Sequence, residues 1–143
     1  MLETAIQAAR KAGAVLRREY RRPHEVSVKG FRDIMTEVDL AAERVAVETV
    51  RDAFPDAKIM SEESYTRWQA YDDEPAWFID PLDGTTNYAR GLPMFSVSVG
   101  VAQGGVLRCG AVFDPLLDQL FWAERGGGAY LDDTRLHVSE RAT

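Results

Sequence analysis

From Met94 to Asp133 the sequence is a succession of short apolar runs, MFSVSVGVA, VLRCGAVFDP, DQLFWAE and GAYLDD, separated by QGG, PLL and RGGG. Runs of this length, rich in β-branched and aromatic residues and punctuated by glycine turns, predict consecutive antiparallel strands. Such a sheet has an apolar face that another layer must cover, and the cover lies upstream. Leu2, Ile6, Ala9, Gly13, Leu16 and Tyr20 recur at spacings of three and four, which predicts one stripe of a helix ending near Arg21 and Arg22, where Pro23 stops it. A second helix is expected from Thr36 to Phe54, with Val38, Ala42, Val45, Ala46, Thr49 and Ala53 facing inward and Pro55 closing it. VSVKGFRDIM, between the helices, reads as an extended or loop segment. The expected class is α+β: two N-terminal helices packed on one face of a mainly antiparallel β-sheet.

The middle of the chain carries the chemistry. AKIMSEES reads as a short strand ending in acids, YTRWQAYDDEPA as a surface loop, and WFID as a buried strand that runs into a turn. Glu62 and Glu63 end the first strand; Asp80 and Asp83 follow the second, in IDPLDG. Acids on neighbouring strand ends repel one another unless a cation gathers them, and Mg²⁺ prefers carboxylate, carbonyl and water oxygens. Pro81 restricts the chain after Asp80, so that Asp80, the Leu82 carbonyl and Asp83 are candidates for one metal site. Gly84 permits close backbone approach, and Thr85, Thr86 and Asn87 are turn or helix-start residues with free amides suited to phosphate oxygens. Metal beside such amides makes a site for a phosphate ester, with Thr85 offering a hydroxyl to position an attacking water. Asp-Pro and Asp-Gly are also ordinary turn dipeptides, and two adjacent glutamates are an ordinary solvated patch. The conjunction of both acid pairs with GTTN is what favours a site.

Composition narrows the alternatives. With 143 residues the chain is about one domain long, and 17 Lys and Arg against 23 Asp and Glu, a formal charge of -6, exclude a broad nucleic-acid or acidic-membrane surface. The N-terminal segment is interrupted by charge, so neither a signal peptide nor a membrane span is expected, and the expected location is cytoplasmic. Cys109 is the one cysteine and reads as a buried inert thiol.

FIDPLDGTTNYARGLPMFSVSVG resembles the signature of the inositol monophosphatase family, Mg²⁺-dependent phosphomonoesterases that share a layered αβ fold with fructose-1,6-bisphosphatases. DIMTEVD and MSEES stand where that family has two upstream motifs, and GGGAYLDD with LHVSE extends the likeness along essentially the whole chain. The resemblance implies that Glu62 is a bridging metal ligand, that Asp80 shares two Mg²⁺ ions, and that the Leu82 carbonyl contacts one metal and Asp83 the other. It further implies that the Gly84 and Thr85 amides receive the phosphate, while Thr85 and Asp39 orient and activate the water. TEVD is equally a helix capping box, with Thr36 as the cap and Asp39 returning a bond to the backbone. Lys29 resembles a lysine near the active-site mouth of similar enzymes, or is a solvated loop lysine; Arg90 stands near a phosphate or in a surface ion pair; His24 and His137 read as surface or core residues.

One departure matters. Enzymes of this kind are nearly twice as long, and their second half carries a Trp-Asp motif that completes the second metal site. Here Trp68, Trp77 and Trp122 are followed by Gln69, Phe78 and Ala123. Residues 1–143 are therefore expected to be an N-terminal metal- and phosphate-binding domain without the C-terminal domain, weakly active or inactive alone. The substrate implied is a small sugar or polyol phosphomonoester such as myo-inositol monophosphate. The apolar surface left open favours association, as a homo-oligomer or with a complementing C-terminal half. The alternative is a non-catalytic half-fold that binds metal or phosphate and serves as a regulatory or assembly module.

Overall fold

The structure is a computed structural model that describes residues 1–22, 26–30, 33–62 and 73–139, with 26–30 and 33–36 described by their backbone. The first amphipathic stripe forms helix α1, Leu2–Glu19. It stops two residues before the expected arginines, because Tyr20 is already extended at ψ 133° and Arg21 has a positive φ of 63°. The segment between the helices is a hairpin of β1, Val26–Gly30, and β2, Asp33–Thr36, paired antiparallel. Helix α2 follows directly as Glu37–Ala53. Thr36 is thus the last strand residue, and its proposed capping side chain lies outside the described part. Val38, Ala42, Ala46 and Thr49 are buried as expected, but Ala53 is exposed, and the last turn meets the core through Val50 and the following Phe54, whose ring lies against Trp77. Asp39 and Glu43 take the inward positions that alternation of apolar residues alone does not reveal.

Seven strands form one sheet in the order β3-β4-β5-β6-β7-β8-β9. They are β3, Lys58–Ser61; β4, Ala76–Asp83; β5, Ser96–Gln103; β6, Val106–Asp114; β7, Gln119–Glu124; β8, Gly128–Leu131; and β9, Thr134–Arg135. A short helix, α3, Thr85–Ala89, sits between β4 and β5. Every pairing from β4 onward is antiparallel, whereas β3 and β4 are parallel. The α+β expectation therefore holds, with one parallel pair at the edge that carries the acids.

The core lies between the helices and one face of the sheet. Val97, Val99 and Val101 of β5 and Ala111 and Phe113 of β6 point inward against the alanine-rich stripe of α1, where Ala5, Ala8, Ala9 and Ala12 are fully buried. Small side chains on that stripe let the helix settle close to the sheet. At Gly13 the approach is closest, since an added Cβ would stand 2.5 Å from the Phe113 ring. The other face of the sheet is open: Leu107, Val112, Phe121 and Leu136 are exposed around a cavity of about 610 Å³. Among the described residues no helix is long and apolar enough to cross a membrane.

Candidate active site

Parallel pairing decides where the acids meet. Because β3 and β4 run the same way, with Ser61 opposite Ile79, their C-terminal ends emerge at the same rim. The Glu62 amide extends the ladder by donating to the Ile79 carbonyl oxygen at 3.1 Å, which brings Glu62 beside Asp80. Burial pushes the Asp80 carboxyl up to about 7; the charge of Glu62, a hydrogen bond between the two carboxyl groups and the charge of Asp83 add to the rise. The Leu82 amide, donating to Asp80 Oδ1 at 3.1 Å, acts in the opposite direction.

The spacing of Asp80 and Asp83 has a separate cause. In a regular strand, residues three apart point to opposite faces. Here the ladder slips, so that Asp80 faces Ser98 and Asp83 faces Ser96, three steps on β4 against two on β5. That extra residue is a bulge, and it turns both carboxylates onto the open face of the sheet. Pro81 has no amide to lose from the ladder and is buried within the bulge together with Leu82. The strand therefore continues through the expected turn as far as Asp83.

Gly84 then reverses the chain at φ 93°, and only a glycine fits: an added Cβ would lie 2.8 Å from the Met94 carbonyl oxygen. Helix α3 follows, fixed by Tyr88, which is buried and donates its hydroxyl to the Leu16 carbonyl oxygen at 2.8 Å. Asn87 Nδ2 donates to the Met94 carbonyl oxygen at 2.8 Å. At the start of α3 the Thr85 hydroxyl has two acceptors, the Leu82 carbonyl oxygen at 3.0 Å and Asp39 Oδ1 at 3.2 Å. Asp39 is 1% exposed, on the first turn of α2.

Two groupings thus form around the bulge: Glu62, Asp80 and Asp83 on the open face, and Asp39, Thr85 and the Leu82 carbonyl beneath it. Among the described residues no three acidic, histidine or cysteine side chains already stand together as a chelating group. The donor set nevertheless suits a hard divalent cation, for it consists of oxygens alone and brings the negative charges of Glu62 and Asp83 against a part-buried Asp80. Glu63 and His24 lie outside the described residues, as does the Lys29 side chain. His137 is exposed beyond β9, and Arg90 is exposed at the end of α3. Ser96 and Ser98 were not among the expected site residues; their signal in the sequence is the alternation SVSVG, which places both hydroxyls on the face opposite the valines.

A two-helix layer on a mixed sheet, with an acid-rich rim at a bulged strand end, defines the class of architecture. The inositol monophosphatase family model matches residues 1–143, and the chain belongs to that family. It is 43% identical over 143 residues to the Nus factor SuhB of Pasteurella multocida, covering 99% of this chain and 53% of that protein. It is 37% identical over 142 residues to an inositol monophosphatase of Mesembryanthemum crystallinum, covering 98% of this chain and 53% of that protein. The solved structure of a Thermotoga maritima IMPase superimposes with a TM-score of 0.89 at 40% identity, covering 99% of this chain and 54% of that one. The chain spans about half the length of the curated relatives it matches.

Proposed function

We propose that residues 1–143 are the metal- and phosphate-binding domain of a Mg²⁺-dependent phosphatase for a small sugar or polyol phosphomonoester such as myo-inositol monophosphate. The observation that carries the reading is the β4 bulge, which turns Asp80 and Asp83 to one face beside Glu62. In this reading Glu62, Asp80, the Leu82 carbonyl and Asp83 hold the cations, and the Gly84 and Thr85 amides receive the phosphate. When bound, Mg²⁺ supplies charge neutralisation at the phosphoryl oxygens and acidifies water. Asp39, buried and bonded to the Thr85 hydroxyl, accepts a proton passed through that hydroxyl from the attacking water. Membership of the family and the order of its motifs support each assignment. The reading places the domain in the cytoplasm and makes turnover depend on a carboxylate supplied from outside these residues.

The test is phosphate release from myo-inositol monophosphate with Mg²⁺, measured on the chain alone and mixed with a separately made second half of a relative. Release only in the mixture supports the phosphatase; unchanged release after Asp83→Asn overturns the site assignment. A second reading, a half-fold that pairs with another polypeptide in a regulatory or assembly role, is favoured by the relatives called Nus factor SuhB and by the exposed apolar face. A folded mixture that releases no phosphate supports that one.

A further inference from the structure

The inner face of β5 is all valine at Val97, Val99 and Val101, while its outer face presents Ser96, Ser98 and Gly100. Serine is a weak strand former, and the row that continues from Ser98 across the sheet is apolar, through Val112 and then Phe121. Hydroxyls on β5 therefore occur where the strand meets acids: Ser98 is the cross-strand partner of Asp80, and Ser96 that of Asp83. Directly opposed residues have Cβ atoms about 4.5–5.5 Å apart, within reach of a hydroxyl-to-carboxylate hydrogen bond. Ser98 lines one cavity with Glu62 and Asp80, and Ser96 lines another with Asp83 and Gly84. Among the described residues no side-chain hydrogen bond joins Ser98 to Asp80 or Ser96 to Asp83, so each pair closes only when the carboxylate turns toward the hydroxyl opposite.

We infer that Ser96 and Ser98 are positioning residues of the cation site, each placed to donate its hydroxyl to the carboxylate opposite when an ion is bound and so to fix which oxygen that carboxylate presents to the ion. The inference rests on the reading of Asp80 and Asp83 as ligands. A carboxylate at a strand end swings about two torsions, and a donor on the neighbouring strand holds the rotamer that the ion selects. The outer-sphere hydrogen bonds of metal ligands commonly change affinity by about 10–100-fold.

Mn²⁺ titration of the full chain, read as the loss of the free-ion EPR signal, separates the hydroxyl from its shape. The doubly substituted Ser96→Val, Ser98→Val chain is expected to bind Mn²⁺ about tenfold more weakly. The Ser96→Thr, Ser98→Thr chain, similar in shape but keeping both hydroxyls, is expected to bind like the parent. Melting temperatures of the two should agree, since both are branched residues suited to a strand. Equal Mn²⁺ affinity in the valine and threonine chains, with Asp80→Asn still abolishing binding, overturns the inference and leaves the cation site standing. Absence of binding to the unsubstituted chain overturns both. Should the valine pair fail to fold, the single Ser98→Ala chain gives the same comparison at one carboxylate, with parental affinity overturning the inference there.

Discussion

The Thr85 hydroxyl lies 3.2 Å from Asp39 Oδ1, joining the start of α3 to the first turn of α2 across 46 residues. Its second acceptor, the Leu82 carbonyl oxygen at 3.0 Å, belongs to the bulge. One hydroxyl thus ties helix layer, bulged strand and the turn at Gly84 together, and its single proton cannot satisfy both acceptors fully.

That sharing sets the first prediction. In the mixture with a second half, Asp39→Asn should lower kcat by about 10²–10⁴-fold, the usual range for losing a proton acceptor, with KM changed much less. Asparagine keeps the shape and still accepts from Thr85 but is a far weaker base. Thr85→Ser should retain most turnover and Thr85→Val should lose it. Phosphate-release kinetics decide the matter; a KM effect without a kcat effect would assign Asp39 to structure.

The second prediction concerns pH. With Asp80 held at about 7 against an ordinary 3.8, a divalent ion must displace its proton. Cation affinity should therefore fall about tenfold per pH unit on going down through 7 and flatten above it. Stability of the cation-free chain runs the other way: between the unfolded value near 3.8 and the folded value near 7, the native state holds the extra proton. That contribution is present at the acid end of the window and lost as pH rises through about 7. Glu62→Gln removes a negative neighbour and should bring both midpoints to lower pH. Calorimetric titration and urea unfolding in a chelator, each from pH 5 to 8.5, measure the two trends.

Gly84→Ala is the third. Its Cβ would stand 2.8 Å from the Met94 carbonyl oxygen, at a φ of 93° that L residues avoid. The substitution should cost about 1–3 kcal/mol of stability, read by urea unfolding. Because Thr85 is the next residue, cation and phosphate affinity should fall with it.

The two helices and the strands beyond Met94 were legible because each has one apolar face, and a period of 3.6 or 2 is visible without partners. Helix ends were less so: Ala53 fits the stripe by spacing but is exposed, and the last turn of α2 meets the core through Val50 and the following Phe54 instead, with Phe54 against Trp77 of β4. Asp80 and Asp83 were legible as candidates by residue type. What the sequence could not show was how they come to face one way, since alternation would separate them and only pairing with β5 reveals the bulge. The parallel β3–β4 pairing, which brings Glu62 to Asp80, is likewise a long-range choice that local pattern does not encode. The role proposed for Asp39 came from family likeness; its local sequence also fits a helix cap.

The open face of the sheet makes the last prediction. Leu107 is 64% exposed, and Val112 and Phe121 are each 39% exposed, around the cavity of about 610 Å³. Apolar exposure on this scale drives association in water. The chain should therefore show concentration-dependent association by sedimentation velocity. Leu107→Lys with Leu136→Lys should reduce it, and because both side chains are already exposed the cost in unfolding free energy should stay within about 1 kcal/mol. The same pair of substitutions should weaken restoration of phosphatase activity by the second half while leaving Mn²⁺ binding by the lone chain unchanged, since neither side chain lines the cavity of Glu62 and Asp80 or that of Asp83 and Ser96. If the lysine chain associates and is restored as well as its parent, the partner layer sits elsewhere than on this face.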